Sequence, residues 1–166
     1  AWNEAVFRKK KYLMIITSDV SISDEDFSKF KLIAANRSFL DGIGCYMLSA
    51  SNGAKVYGKT VKDSRNEKIY NANTNEIRDI EVVEGWNVIY DINLLNLFMN
   101  NVNEDYSIGW LYDQTMSKLG KKYGYRTVVD DRVKMFHEDG CGYSPLKADA
   151  QLELFKYNFW GNLGIK

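Results

Sequence analysis

Tyr12-Leu13-Met14-Ile15-Ile16-Thr17 is an unbroken apolar run that stops abruptly at Ser18-Asp19, and no other segment constrains the fold as strongly. A run this short and this rich in β-formers predicts a strand buried on both faces of a parallel sheet. The whole chain has 166 residues, of which 45% are hydrophobic and 14% aromatic. That is enough apolar material for one packed domain spanning residues 1–166, and it excludes disorder as the default state.

Trp2, Ala5 and Val6 predict a short helix ahead of the strand. Beyond it, Ser23 is a helix N-cap followed by Asp24, Glu25 and Asp26 in the first turn, with Phe27, Phe30 and Ile33 at helical spacing. Cys45 to Leu48 and Lys55 to Tyr57 are short β-rich pieces around a turn signal at Ser51-Asn52-Gly53, which predicts a hairpin. Residues 63–78 are polar and predict an exposed loop or short edge strands. Ile80 to Val83 and Trp86 to Tyr90 predict two strands about Glu84-Gly85, and Ile92, Leu95 and Phe98 begin a helical face.

Tyr112, Met116, Leu119 and Tyr123 form one helical stripe within residues 110–123, with Gly120 or Gly124 as its end. Arg126 to Val129 and Val133 to Phe136 predict two more strands, then a glycine-containing loop. A last helix from about Ala148 presents Leu152, Phe155 and Phe159. Helices and parallel-type strands with an antiparallel centre amount to a mixed α/β fold.

Charge excludes several functions. Twenty-two basic residues balance 22 acidic ones, so no bulk field is present to hold a nucleic-acid backbone, and no nucleic-acid partner is expected. Cys45 and Cys141 are far apart and lack the spacing of a structural zinc site or a disulfide framework, which fits a reducing compartment. No apolar run approaches the ~20 residues of a membrane span. No GxSxG, HExxH, P-loop or GxGxxG sequence occurs.

Three residues could carry chemistry. Asp19 stands where a buried strand gives way to a loop, a place at which α/β sheets bind ligands, and a carboxylate there either holds a hard divalent cation or caps a turn. Asp113 lies in the first turn of its helix, where the dipole would keep it ionised as a base requires, or where it simply stabilises the helix. His137, the single histidine, ends a strand; its imidazole suits metal ligation or proton transfer, and equally an ordinary hydrogen-bonded role. Trp86, Trp110 and Tyr112 are aromatics near turns that either pack against a sugar ring or belong to the core.

Six stretches in order, Asn3-Glu4-Ala5, Tyr12 to Val20, Val83 to Ile89, Gly109 to Asp113, Gly124 to Val129 and Val133 to His137, resemble a family 2 glycosyltransferase of the GT-A fold. The resemblance implies a GT-A-like mixed sheet flanked by helices. It implies that Thr17-Ser18-Asp19 occupies the place of the acidic metal motif, with only the last acid present. Asp19 and His137 would then hold Mn²⁺ or Mg²⁺ against a sugar-nucleotide diphosphate. Asp113 would remove the acceptor proton, and Glu84, Gly85, Trp86, Trp110 and Tyr112 would shape the donor-sugar and acceptor pocket.

The family's opening nucleotide-binding units do not precede Ala1, so the expected sheet is truncated on its N-terminal side. Its open edge would be covered by another copy of the chain or by the missing segment. The implied activity is inverting transfer from a nucleotide-sugar donor to a carbohydrate acceptor in surface polysaccharide synthesis. The expected setting is cytoplasmic, with the inner face of a membrane left open. The alternative is a non-catalytic carbohydrate-binding or interaction module built on such a fold.

Overall fold

The computed structural model describes residues 8–36, 38–50, 75–101, 112–138 and 160–165. Its elements are β1 (Tyr12–Ile16), β2 (Val20–Ile22), α1 (Asp24–Ala35), β3 (Ile43–Ala50), β4 (Ile77–Asp79), β5 (Asn87–Asp91), α2 (Ile92–Met99), α3 (Tyr112–Lys122), β6 (Arg126–His137) and the short α4 (Gly161–Leu163). The expected first helix, the hairpin turn at Ser51-Asn52-Gly53, the strand Lys55 to Tyr57, Trp110, Cys141 and the helix from Ala148 to Phe159 lie outside the described residues. No helix among the described residues is long and apolar enough to cross a membrane.

The strands follow the order β1-β5-β3-β6-β2, with β4 added against β6. Only β3 and β6 run parallel; β1 with β5, β5 with β3, and both β2 and β4 with β6 are antiparallel. The two ends of this path, β1 and β2, are consecutive in the chain and joined by Thr17, Ser18 and Asp19 alone. The Thr17 amide donates to the Trp86 carbonyl at 3.0 Å, and the Glu138 amide to the Asp19 carbonyl at 2.9 Å. The sheet therefore curls until its ends meet, forming a nearly closed, barrel-like layer with helices packed on it.

This overturns the expectation of an open, truncated GT-A-like sheet. The apolar run Tyr12–Ile16 does form a strand, but it is half-buried and pairs antiparallel with β5. An apolar run does not by itself distinguish a central parallel strand from one at a curled end, because the pairing partner lies about 75 residues away. The strand buried throughout is instead β3, whose eight residues are all inaccessible, flanked by the equally buried β5.

Two further expectations change. Residues 80–83 are not a strand; the short β4 precedes them. Residues 126–137 form one strand rather than two, because β6 remains paired to β3 across an irregularity. Leu48 faces Asp130 and Ser49 faces Lys134, so residues 131–133 are extra. This kink lets one strand serve β4 with its first half and β2 with its second. The kink also buries two carboxylates, and each is paired. Asp130 accepts the Tyr46 hydroxyl at 2.6 Å and the Arg132 guanidinium at 2.8 and 2.9 Å. Asp131 accepts Arg78 at 2.7 and 3.2 Å.

The helices form as their caps dictate. The Ser23 hydroxyl accepts the Asp26 amide at 3.1 Å at the head of α1, and Asp91 accepts the Asn93 amide at 2.8 Å at the head of α2. Leu94, Leu95 and Phe98 of α2 and Met116 and Leu119 of α3 fill the core beside β3 and β5, while Tyr123 is exposed. Gly124, at φ 79°, follows the end of α3 in the left-handed conformation, as the C-cap signal predicts.

Candidate functional site

The three-residue link between β1 and β2 brings the first two candidates together. Because Val20 pairs with His137 in the β2–β6 ladder, Asp19 lies beside the end of β6. Asp19 Oδ2 is 3.4 Å from His137 Nε2, with the side chains 45% and 23% exposed. The Thr17 hydroxyl, then the backbone amide of Asp19 itself and the His137 imidazole, hold the Asp19 carboxyl below the ordinary aspartate range. Asp19 is thus ionised and within reach of solvent.

Trp86 comes next. Its indole lies flat on the His137 imidazole, with ring centroids 4.7 Å apart and planes 7° from parallel. The indole Nε1–H donates to Glu84 Oε2 at 3.1 Å, and only 5% of the residue is exposed. The Trp86 carbonyl also accepts the Thr17 amide, and the Thr17 hydroxyl stands 3.3 Å from it.

Glu84-Gly85-Trp86 then joins this pair to the head of α3. Asp113 Oδ2 accepts the Gly85 amide at 3.1 Å, and the preceding Tyr112 donates its hydroxyl to the Gly85 carbonyl. Both sides of the Gly85 residue are held by consecutive side chains. The residue must be glycine because a Cβ there would stand 2.5 Å from the Tyr112 hydroxyl and 2.8 Å from its ring. Asp113 Oδ1 accepts the Gln114 amide at 2.7 Å.

The helix N-terminus accounts for only part of the electrostatics at Asp113. Burial raises its carboxyl above the ordinary range, while the Gln114 and Gly85 amides pull the other way. The result is a carboxylate of enhanced basicity. Tyr90, fully buried, packs near the Tyr112 ring, with centroids 6.2 Å apart, and its hydroxyl has no hydrogen-bond partner among the described residues.

Seven of the eight residues singled out from the sequence are described, and they form one connected constellation. Asp19 meets His137, His137 meets Trp86, Trp86 meets Glu84, and Gly85 meets both Tyr112 and Asp113. Trp110 lies outside the described residues. Two contributors were not singled out as site residues. Thr17 helps hold the Asp19 carboxyl below the ordinary aspartate range, and its only sequence signal is its place two residues before that acid. Ser117 accepts the Val83 amide at 3.2 Å and donates to the Asp113 carbonyl at 2.8 Å; the i+4 spacing from Asp113 was the signal available.

Asp19 and His137 are the residues of the constellation that could offer donors to a cation. A carboxylate oxygen and an imidazole nitrogen 3.4 Å apart have the spacing of neighbouring donors around one ion. Among the described residues no group of three His, Cys, Asp or Glu side chains that could hold a metal ion forms. No protein-family model and no curated protein matches this chain.

Proposed function

We propose that this chain transfers a sugar from a nucleotide-sugar donor to a hydroxyl acceptor, with Asp19 and His137 at the diphosphate and Asp113 at the acceptor. The observation that supports this reading is the convergence of those residues through Glu84-Gly85-Trp86. It does not depend on an open sheet; it depends on an ionised, accessible carboxylate beside an imidazole, linked to a half-buried carboxylate of raised basicity.

The chemistry is a displacement at the anomeric carbon. The acceptor oxygen forms the new bond to that carbon, the bond to the diphosphate breaks, and the electron pair leaves with the diphosphate. Asp113 takes the acceptor proton. Each of its oxygens already accepts one amide and retains a further lone pair for that proton. A cation bound by Asp19 and His137 would neutralise charge on the departing diphosphate. The Glu84–Trp86 turn connects the two ends, touching His137 through Trp86 and Asp113 through Gly85.

One observation favours a second reading. Both Asp113 oxygens are engaged by backbone amides, the pattern of a structural clamp, which suits a module that binds carbohydrate without turning it over. Titrating the protein with Mn²⁺ and UDP-, GDP-, dTDP- and CMP-sugars while following thermal stability separates the two, since a ligand of the folded state raises the midpoint. The transferase reading expects a Mn²⁺-dependent rise with one nucleotide class, lost in Asp19→Ala. A rise with free glycan but none with any nucleotide sugar would replace it with the binding module.

A further inference from the structure

Trp86 touches both arms of the cation pair in different ways. Its backbone carbonyl receives the amide of Thr17 at 3.0 Å, two residues before Asp19, and so sets where the β1–β2 link lies. Its indole covers the imidazole of His137 at 4.7 Å and 7°. The His137 ring, 23% exposed, lies between contacts, its Nε2 toward Asp19 and one face on the indole, and a stacked face restricts rotation about the last torsion. The indole is itself restrained, because Trp86 is 95% buried and its N–H is tied to the Glu84 carboxylate at 3.1 Å.

We infer that Trp86, locked by Glu84, is a positioning residue that holds His137 Nε2 and the Asp19 carboxylate in register for one shared cation. This differs from a platform for a sugar ring. One indole face is occupied by the imidazole, and the residue is nearly inaccessible. Partners that orient a metal-binding histidine without touching the metal typically alter affinity about 10- to 100-fold when removed. The inference rests on the proposed role of Asp19 and His137 as cation donors.

Because His137 is the chain's single histidine, its imidazole protons are an unambiguous reporter in nuclear magnetic resonance. Stacking shifts them upfield through the indole ring current, and added Mn²⁺ broadens them when bound alongside. Four proteins are compared with wild type: Trp86→Phe, Trp86→Leu, Glu84→Ala and Asp19→Ala. Wild type shows upfield imidazole signals broadened by low Mn²⁺, and Asp19→Ala abolishes the broadening. Trp86→Phe retains a stacked ring and most of the Mn²⁺ response. Trp86→Leu loses the upfield shift and needs about 10- to 100-fold more Mn²⁺.

Trp86 belongs to the core, so Trp86→Leu could unfold the protein; Glu84→Ala leaves the indole in place but unlocked, and is expected to reduce both the shift and the Mn²⁺ response. Folded variants with wild-type Mn²⁺ response, beside an Asp19-dependent wild type, overturn the positioning role alone. A wild type that takes up no Mn²⁺, or takes it up independently of Asp19, overturns the cation reading and this inference with it.

Discussion

Gly85 and Asp113 are joined by one hydrogen bond, 3.1 Å from the glycine amide to Oδ2, and that contact ties the turn before β5 to the head of α3. In Asp113→Asn an amide NH₂ takes the place of one acceptor oxygen and confronts a backbone N–H. In the proposed reaction the variant also has no base. Transfer is expected to fall about 10²- to 10⁴-fold with nucleotide-sugar binding retained, measured by steady-state rates beside thermal shift. Full activity would remove Asp113 from the chemistry.

The same carboxyl imposes a pH dependence. Its folded-state pKa is raised by burial, so the native protein binds a proton more tightly than the unfolded chain does. The stability Asp113 contributes is therefore present below the ordinary aspartate value of 3.8 and is lost as pH rises through the raised value. Relative to Asp113→Asn, wild type should lose ground as pH increases across that window in parallel denaturant titrations. The acid limb of the transfer rate should also lie above the ordinary aspartate range, because the base must be ionised.

Gly85→Ala is expected to cost about 1–3 kcal/mol, since the added Cβ collides with Tyr112 at both its hydroxyl and its ring. Tyr112→Phe removes only the hydroxyl, which donates to the Gly85 carbonyl, at a cost of about 1 kcal/mol. Placing Gly85→Ala in the Tyr112→Phe background relieves part of the strain and no more, because the ring carbon at 2.8 Å remains. A double-mutant cycle in urea measures the coupling.

Arg132→Ala leaves Asp130 fully buried with the Tyr46 hydroxyl as its remaining side-chain partner. Breaking a fully buried pair costs about 3–5 kcal/mol. Arg132 is 37% exposed, so solvent screening brings the expected loss to roughly 2–3 kcal/mol, read as a lowered urea midpoint. Asp130→Asn in the same background should recover part of it by removing the stranded charge.

Ser23→Ala removes the only side-chain cap at the head of α1 and is expected to cost about 1 kcal/mol. None of the helix's residues is buried, and Leu32 is 77% exposed, so packing does little to compensate. Hydrogen exchange in residues 24–35 should quicken while β3 remains protected.

Local features were legible wherever local physics determines them. Ser23 and its acids announced α1, the Met116–Leu119 stripe announced α3, and Trp86 to Tyr90 all but matched β5. What could not be read was pairing. Nothing in Tyr12–Ile16 states that Leu13 will face Tyr90 across an antiparallel ladder. Nothing in residues 126–137 states that two β-rich pieces will fuse over a kink whose buried carboxylates take hydrogen bonds from Tyr46 and Arg78, residues distant in sequence. The residues of the candidate site were singled out one by one through a resemblance, whereas the contacts among them could not be read, because the Asp19–His137 contact arises from the β2–β6 register.

The three-residue link between β1 and β2 has a mechanical meaning. It is too short to take up slack, so β1 cannot peel from β5 without drawing Asp19 away from His137. Closing the sheet and bringing Asp19 to His137 are one event. The Thr17 and Glu138 amides only extend the β1–β5 and β2–β6 ladders up to this link, and among the described residues no pairing joins β1 to β2, so these two ends are expected to open ahead of the buried β3–β5 centre. A cation held there would act as a rivet on the closed form.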